Sequence, residues 1–327
     1  MTIQHILHKS IRSDPKWRYR FDEEDPILTK SLELRGILSP LVLLQDKNEF
    51  VILDGFKRYR FLKDKAALQV AAFLYSAQQA KEGLIHSVLL NETNRSLSTV
   101  EKSNVVKIIQ LFRDDGDFQN KIYSFLKIPA KRQFMQKYLT INAFPDRAKQ
   151  YFHEYQFSLR QIERFIPFSI QSLLSWIKLA QELHIKAQEF VQLAETIWDI
   201  SIKENIAIDQ LYNTFKMDEL LKLKSTAHQK SANLKNLLHQ KRYPMLNSIQ
   251  EKMTKQFEHI QEKSPLPMKV SWDKTLEQSG YWLNIYLEHQ DSVDQLQTFF
   301  ESPELRGDLK RLFQIIMHSL EDSNETS

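Results

Sequence analysis

The sequence predicts an α+β protein built from two or three domains. The chain has 327 residues, which is more than one hydrophobic core usually organises. Short apolar segments bounded by turn residues occur between residues 40 and 75 and again between 268 and 287, whereas residues 98–263 show helical periodicity. We therefore expect a mixed α/β domain, an all-α middle and a small strand-containing end.

The composition is typical of a globular protein and excludes several chemistries. Hydrophobic residues make up 42% of the chain and charged residues 26%. The chain has no cysteine, which excludes disulfides, thiolate zinc sites and cysteine nucleophiles. No apolar run approaches the roughly 20 residues of a membrane-spanning helix, and the first residues lack the charged and apolar regions of a signal peptide. We expect a cytoplasmic protein without membrane contact.

Charge is segregated along the chain, although its net value is only +4. Lys and Arg exceed Asp and Glu in residues 97–165 and 216–263, whereas the acidic residues are in excess in 166–215 and 264–327. Basic segments of this kind are typical of proteins that contact a polyanion. The acidic segments between and after them also favour contacts within the protein itself.

Residues 1–96 are predicted to form the mixed α/β domain. A short helix is expected between Asp25 and Gly36, because Asp25 is a suitable N-cap, Pro26 stands at the first helical position and a glycine follows the end. Apolar runs separated by polar turns predict the other elements. These are strands over 40–44, 50–53 and 69–75 and helices over 56–66 and 77–90.

Residues 97–215 are predicted to form the helical domain. Ser98 and Glu101 have the spacing of a capping box ahead of a helix over 101–112. Two short helices, 118–126 and 130–139, then flank Lys127-Ile128-Pro129 with the proportions of a helix-turn-helix. The turn lacks the usual glycine, so an ordinary helical hairpin is the alternative. Aromatic and aliphatic side chains further on are expected in the core, namely Phe152, Phe157, Ile162, Phe165 and Phe168.

The remaining sequence predicts a linker and a small end unit. Residues 216–263 read as a basic, helical linker, and the proline-rich Ser264-Pro265-Leu266-Pro267 marks a boundary. A unit over 264–327 should then contain two strands and a helix. A hairpin and one helix bury too little apolar surface to be stable alone, so this unit should pair with another copy or dock on its own chain. The expected elements are strands over 268–272 and 281–287 and a helix over 292–300.

The most informative segment combines a strand, a glycine and a basic helix start. The glycine lets the backbone turn and approach a ligand closely. The new helix offers N–H groups and a positive dipole end to an anion, and three cations follow. The alternative is a plain turn followed by a solvated basic helix. The segment is Val51-Ile52-Leu53-Asp54-Gly55-Phe56-Lys57-Arg58-Tyr59-Arg60.

Four motifs, in the same order along the chain, resemble those of the ParB partition proteins. The family has an Arg-rich start before an acidic helix, a Gly-Ile-Leu-x-Pro step, a Gly-Glu-Arg-Arg-x-Arg motif, and a Glu-Asn-x-Gln-Arg element before a Leu-x-x-x-Glu step. The corresponding residues here are Arg18-Tyr19-Arg20-Phe21-Asp22, Gly36-Ile37-Leu38-Ser39-Pro40, Gly55-Phe56-Lys57-Arg58-Tyr59-Arg60, and Asn91-Glu92-Thr93-Asn94-Arg95 before Leu97-Ser98-Thr99-Val100-Glu101.

The resemblance covers nearly the whole chain and implies both a fold and a function. It implies a ParB/sulfiredoxin-like N-terminal domain, a central helix-turn-helix-like DNA-binding domain, and a small strand-strand-helix dimerisation unit. It also implies binding of CTP with magnesium, a homodimer that clamps DNA in chromosome partition, a partner partition ATPase and a nucleoid-associated location. Sulfiredoxin itself uses a cysteine beside the equivalent glycine, and that chemistry is excluded here.

The family motifs assign candidate residues by position. Phe56 stands where the family has a glutamate, and the acid and amide of Asn91-Glu92 are exchanged relative to the family order, so CTP hydrolysis is left open. The residues implied in nucleotide binding are Arg20, Gly55, Lys57, Arg58, Arg60, Asn91, Glu92 and Arg95, with Glu92 and Asn91 also implied at the magnesium ion. Those implied in DNA binding are Lys127, Lys131, Arg132, Gln133, Gln136 and Lys137.

Two other functions remain open from the sequence. One is a nucleotide-independent DNA-binding or adaptor protein that retains the fold, and the other is a nuclease or phosphotransferase that uses the same basic cradle. A P-loop NTPase is excluded because no Gly-x-x-x-x-Gly-Lys loop occurs. The ten histidines show no metal-ligand spacing. The sequence names neither the DNA site nor the partner ATPase, nor a chromosomal, plasmid or mobile-element role.

Overall fold

The computed structural model describes residues 3–21, 26–35, 39–64, 69–273 and 280–325. The chain divides into two compact units, Met1–Lys230 and Ser231–Ser327. This division is coarser than the four predicted parts, whose boundaries stay a prediction. Within the described ranges, no helix is long and apolar enough to cross a membrane.

A five-stranded mixed sheet organises the start of the first unit. Its order is β1-β5-β3-β4-β2. The β1–β5 and β3–β4 pairs are antiparallel, whereas β3–β5 and β2–β4 are parallel. The three predicted strands correspond to β3, β4 and β5, and the structure adds two N-terminal strands. The bounds are β1 Ile3–Leu7, β2 Ile11–Arg12, β3 Leu41–Asp46, β4 Glu49–Asp54 and β5 Gln69–Tyr75.

Three helices flank this sheet, as the sequence predicts. One of them, α3, approaches the sheet closely because a glycine faces it: a Cβ atom on Gly83 would lie 2.8 Å from Leu53 Cδ1 and 3.1 Å from Tyr75 Cγ. Ser87 and Asn91 follow Gly83 at four-residue intervals, so they share its face of the helix. This face carries polar groups to the end of β4. The bounds are α1 Pro26–Arg35, α2 Phe56–Asp64 and α3 Ala80–Asn94.

The helical middle has an aromatic core, as the sequence predicts. Phe152 and Phe165 have ring centroids 5.3 Å apart, and Phe165 stacks on Phe190 at 4.9 Å. All five predicted core side chains are buried. The predicted capping box at Ser98 and Glu101 is present. The bounds are α4 Thr99–Ile109, α5 Gly116–Phe125, α6 Arg132–Ile141, α7 Asp146–Glu154, α8 Leu159–Glu163, α9 Ile170–Glu182, α10 Ala187–Glu204, α11 Ile208–Thr214 and α12 Met217–Lys222.

The second unit contains the predicted hairpin together with more helix than the sequence indicated. The predicted linker holds α13 and α14, and α14 supplies buried Met253, Phe257 and Ile260 to a core shared with the hairpin and the last helix. The last helix, α16, was not predicted. Turn residues 274–279 of the hairpin lie outside the described residues. The bounds are α13 Ala227–Arg242, α14 Pro244–Lys263, β6 Met268–Trp272, β7 Tyr281–Ile285, α15 Asp291–Glu301 and α16 Pro303–Glu325.

Candidate functional site

The turn between β4 and α2 requires a glycine. Gly55 has a φ of +97°, a conformation that other residues adopt only with strain. A Cβ atom there would collide with Cδ2 of Leu41, which is fully buried, and would lie 3.1 Å from Arg58 Nη2. The Gly55 carbonyl accepts the Tyr59 N–H at 2.8 Å. Helix α2 therefore begins directly after the turn, and the N–H groups of its first turn lack helical partners.

A pocket of about 290 Å³ opens at this turn. Its volume lies near the lower end of the roughly 300–1,000 Å³ typical of small-molecule sites. Its lining combines apolar side chains with amide, hydroxyl, carboxylate and cationic groups. We call it the Gly55 pocket, and its lining is Tyr19, Arg20, Phe21, Leu28, Ser39, Leu53, Asp54, Gly55, Phe56, Lys57, Arg58, Leu90, Asn91 and Asn94.

Arg58 is held firmly at the edge of the Gly55 pocket. Its Nη2 donates to Asp54 Oδ2 at 2.7 Å, and its Nη1 donates to the carbonyls of Pro40, at 3.0 Å, and Ser39. Only 14% of the side chain is exposed. Arg58 thus joins the first turn of α2 to the end of β4 and the start of β3, and it contributes a fixed positive charge to the pocket.

A buried polar network forms the base of the pocket. The Tyr19 hydroxyl lies 2.7 Å from Ser87 Oγ, which donates to the Leu53 carbonyl at 3.0 Å. Asn91 Nδ2 donates to the Tyr19 hydroxyl at 2.7 Å and to Asp54 Oδ1 at 2.8 Å. Burial and then the charge of Asp54 raise the pKa of Tyr19. The network fixes the neutral phenol and the Asp54 carboxylate relative to each other.

Arg20 connects the pocket with the helical middle. Its Nη1 donates to Asn91 Oδ1, and its Nε lies 3.6 Å from Glu101 Oε1. Glu101, in the first turn of α4, is fully buried and also accepts from Arg95 Nη2 at 3.0 Å. Its other oxygen lies 4.0 Å from Nδ1 of buried His153 on α7. Elements of the sheet region and the helical middle therefore meet around one carboxylate.

Five of the eight predicted nucleotide residues line the pocket, and three do not. Arg60 is exposed on α2. Glu92 accepts the Leu97 N–H at 2.9 Å and lies 3.9 Å from Lys102 Nζ. Arg95 is bound to Glu101. The residues that line the pocket are Arg20, Gly55, Lys57, Arg58 and Asn91.

The carboxylate that lines the pocket is not the one predicted at the magnesium ion. Among the described lining residues, the carboxylate is that of Asp54, whereas Glu92 accepts the Leu97 N–H at the connection from α3 to α4. No cluster of three or more His, Asp or Glu groups suited to a metal occurs in the described part of the chain. A magnesium ion usually binds one or two carboxylates together with substrate phosphates. Asp54 fits that requirement, and the metal role of Glu92 stays a prediction.

Sequence reasoning missed the network that shapes the pocket. Asp54 could have been found, because it precedes the glycine and stands four residues before Arg58, the spacing of an ion pair on a helix start. Tyr19 and Ser87 gave no such indication, since their contact spans 68 residues. Glu101 was assigned to the capping box and to the Leu-x-x-x-Glu step, not to a contact with Arg20.

The predicted helix-turn-helix pair corresponds to α5 and α6. Lys127 takes the left-handed conformation, with φ 56°, at the position where such turns usually have glycine. Tyr138 and Ile141 of α6 are buried, and the opposite face is exposed. Lys137 pairs with Glu163 at 2.7 Å. We call this exposed face, with the preceding turn, the α6 surface; it comprises Lys127, Lys131, Arg132, Gln133, Gln136 and Lys137.

These elements define a mixed-sheet protein with an anion-type pocket at a strand-to-helix turn, followed by a helical middle with an exposed basic helix. The structure is similar to solved ParB structures at low sequence identity. A C-terminally truncated chromosome-partitioning protein ParB from Caulobacter crescentus, complexed with CTP-gamma-S, is 16% identical with a TM-score of 0.26, over 60% of this chain and 98% of that one. The same truncated protein complexed to the centromeric parS site is 14% identical with a TM-score of 0.33, over 59% and 98% of the two chains.

A Pnob8-like ParB-N domain is 15% identical with a TM-score of 0.37, over 72% of this chain and 97% of that one. No protein-family model matches the chain, and no curated protein matches it. At these identities the similarity concerns the fold alone.

Proposed function

We propose that this chain is a ParB-like, DNA-binding partition-type protein whose Gly55 pocket binds a nucleoside triphosphate, namely CTP. The observation that supports this most is the Gly55 turn itself. Its left-handed glycine, the start of α2 and the cations Lys57 and Arg58 meet at one side of a pocket. Backbone N–H groups and cations at a helix start are the usual ligands of phosphate groups.

Other residues that line the pocket suit a nucleobase and sugar. Phe21, Leu53 and Leu90 provide apolar surface, and Asn94 provides an exposed amide group. A largely apolar wall with a few polar groups is typical of small-molecule sites. The choice of cytosine as the base rests on the resemblance of the sequence motifs to the ParB family.

A magnesium ion would be held by the phosphates and by Asp54. When bound, it would neutralise part of the triphosphate charge. The chain's own residues position the nucleotide: Arg58 and Asn91 hold the Asp54 carboxylate in place from two sides. Hydrolysis is not part of the proposal.

DNA would bind at the α6 surface. The exposed cations Lys131 and Arg132 lie at the start of α6, where a recognition helix contacts DNA, and Gln133 and Gln136 share its exposed side. Cations neutralise backbone phosphates, while glutamine amides read base edges. Arg20, which touches both the pocket residue Asn91 and Glu101 of α4, is the route by which a nucleotide would influence the helical middle. The homodimer, the partition ATPase and the nucleoid location stay predictions.

Calorimetric titration with CTP, ATP, GTP and UTP, each with and without magnesium, tests the nucleotide half of the proposal. We expect saturable binding of CTP that is lost or at least tenfold weaker in Lys57→Ala. The matched control is Lys63→Ala, which removes an exposed lysine at the other end of α2. Equal affinity in both variants would contradict the assigned site. If no nucleotide binds, the alternative of a nucleotide-independent DNA-binding or adaptor protein is favoured. If the protein cleaves a nucleic acid, the nuclease alternative is favoured.

A further inference from the structure

A second concave surface lies beside the Gly55 pocket and has no role in the function proposed so far. It has a volume of about 440 Å³ and lies where residues 15–21 meet α4 and α7. We call it the Lys107 cleft. Its charged lining consists of the cations Lys16, Arg18, Arg20, Lys107 and Lys149 and the carboxylate Asp146.

The alternation of residues 16–21 directs cations to one side of this segment. Trp17 and Tyr19 are buried, whereas Lys16 and Arg18 are exposed; Pro15–Trp17 form a single 3-10 turn, and the chain continues from it in an extended conformation at Arg18. The Tyr19 carbonyl accepts from Asn104 Nδ2 of α4 at 3.1 Å. The segment is thereby held against α4, and its cations face the same cleft as Lys107.

The described lining of the cleft carries an excess of positive charge. Five cations line it; Lys149 pairs with the one lining carboxylate, Asp146, at 2.7 Å, and Arg20 lies 3.6 Å from Glu101, so the excess comes from Lys16, Arg18 and Lys107. The hydrogen bond and charge of Lys149, together with the charge of Lys107, lower the pKa of Asp146. Like charges around one concave surface repel each other and raise the local potential, which attracts anions. A concave surface with this excess of positive charge favours an anionic ligand.

We propose that the Lys107 cleft binds the phosphate groups of a nucleic-acid backbone. The cations come from three separate elements, residues 16–20, α4 and α7, so they are arranged for several phosphates and not for a single one. Contacts of this kind are independent of sequence and fix the position of the duplex. The proposal rests on the DNA binding proposed above and does not depend on nucleotide binding.

The cleft would add backbone contacts to those of the α6 surface. Arg20 and Phe21 line both the cleft and the Gly55 pocket. A test of the cleft must therefore avoid these two residues. Lys16 and Lys107 are exposed and line only the cleft among the described pockets, so they are the appropriate positions.

The test is the salt dependence of binding of the full chain to a fluorescent duplex of arbitrary sequence. Lys16→Ala combined with Lys107→Ala should reduce the slope of log K against log salt concentration by about two, one for each lost phosphate contact. The control combines Lys178→Ala with Lys186→Ala, which removes two exposed lysines outside the cleft. A third variant, Lys131→Ala with Arg132→Ala, reports on the α6 surface. Thermal melting verifies that each variant folds.

The outcomes separate this inference from the proposed function. If the cleft variant keeps the slope of the control while the α6 variant binds more weakly, the cleft proposal is overturned and the DNA function stands. If the cleft variant and the α6 variant both lose affinity for DNA, the cleft proposal and the proposed DNA function are both supported. If the unaltered chain binds no DNA, the cleft proposal and the proposed DNA function both fail. Titration with inorganic triphosphate tests whether the ligand is a small free anion. The nucleic-acid assignment would be overturned if triphosphate binding depended on Lys16 and Lys107 while DNA binding did not change in the cleft variant.

Discussion

The Gly55 pocket and the α6 surface hold their positive charges in different ways. In the pocket, Arg58 is 14% exposed and bound to Asp54 and two backbone carbonyls, and Arg20 is bound to Asn91. On the α6 surface, Lys131 and Arg132 are exposed on a helix whose other face is buried. Arg58 and Arg20 therefore also stabilise the fold, whereas the exposed Lys131 and Arg132 contribute mainly to binding; Lys137 of the α6 surface pairs with Glu163.

We therefore expect substitution of a fixed pocket arginine to change both stability and binding, whereas substitution of Lys131 or Arg132 should change binding alone. Fixed charges need no reorganisation when a ligand arrives, so a held arginine binds an anion at a lower entropic penalty than a mobile one. Removing such a residue destabilises the protein as well as weakening binding. Four substitutions test this expectation, in order of decreasing expected change in the free energy of unfolding.

Gly55→Ala should have the largest effect. The left-handed conformation and the collision with buried Leu41 together should lower the free energy of unfolding by about 2–5 kcal/mol. Urea unfolding measures the change, and CTP binding should be lost in the same variant. Gly116→Ala is the control, because a Cβ atom there meets nothing within 4 Å. An equal effect at both positions would contradict the account of the Gly55 turn.

Glu101→Gln should have the next largest effect. Glutamine preserves the capping box with Ser98 but removes the buried charge that faces Arg20 and Arg95. Since the two arginines are partly exposed, we expect a loss of about 1–3 kcal/mol in the free energy of unfolding. The matched control is Glu154→Gln, at an exposed position on α7. Equal urea midpoints for the two variants would show that the buried carboxylate contributes nothing through its charge.

Tyr19→Phe should have a smaller effect with a distinct pH dependence. At neutral pH it removes the hydroxyl that contacts Ser87 and Asn91, at a loss of about 1 kcal/mol. Burial raises the pKa of Tyr19 above its ordinary value of 10.0. The stabilisation by the neutral phenol is therefore complete below pH 10 and is lost as pH rises, because the unfolded chain releases the proton first.

The unfolding free energy of the unaltered chain should thus fall faster than that of Tyr19→Phe above pH 10, by about 1.4 kcal/mol per pH unit. Unfolding at pH 8, 10 and 11 measures this difference. Tyr155→Phe, at a partly exposed ring, provides the comparison. Parallel pH curves for the chain and Tyr19→Phe would refute the buried network.

Arg132→Ala should have the smallest effect on stability. The side chain is exposed at the start of α6, so the free energy of unfolding should change by no more than about 0.5 kcal/mol. DNA affinity should nevertheless fall, because a phosphate or base contact is lost. Fluorescence anisotropy with duplex DNA gives the affinity. If Arg132→Ala were destabilised and still bound DNA as tightly as the unaltered chain, the expectation that Arg132 serves binding and not stability would be contradicted.

Local patterns were enough to predict several elements of each unit. The strand, glycine and helix at Gly55 and the Ser98 capping box in the first unit, and the hairpin in the second, all depend on residues close together in sequence. Strand β1 was missed because Ile6 alone in it is buried and its pairing with β5 spans more than 60 residues. Such long-range pairing leaves no local pattern.

The same limit applies to the site residues: contacts between neighbouring positions could be predicted, and contacts between distant positions could not. Successive residues on a helix point about 100° apart, since a turn has about 3.6 residues. When Asn91 faces the pocket, Glu92 must therefore point elsewhere, and it binds the Leu97 N–H. Motif position placed both residues at the nucleotide without this constraint. The Tyr19 and Ser87 contacts depend on the close approach of α3 at Gly83, which the sequence alone does not show.

Amide hydrogen exchange of the full chain with saturating CTP and magnesium locates the nucleotide on the protein without any substitution. We expect slower exchange in peptides that cover residues 39–60 and 84–95, where the Gly55 turn and the end of α3 lie. Peptides within 231–327 should exchange unchanged. Unchanged exchange across 39–60, or protection confined to other segments, would contradict the Gly55 pocket as the nucleotide site.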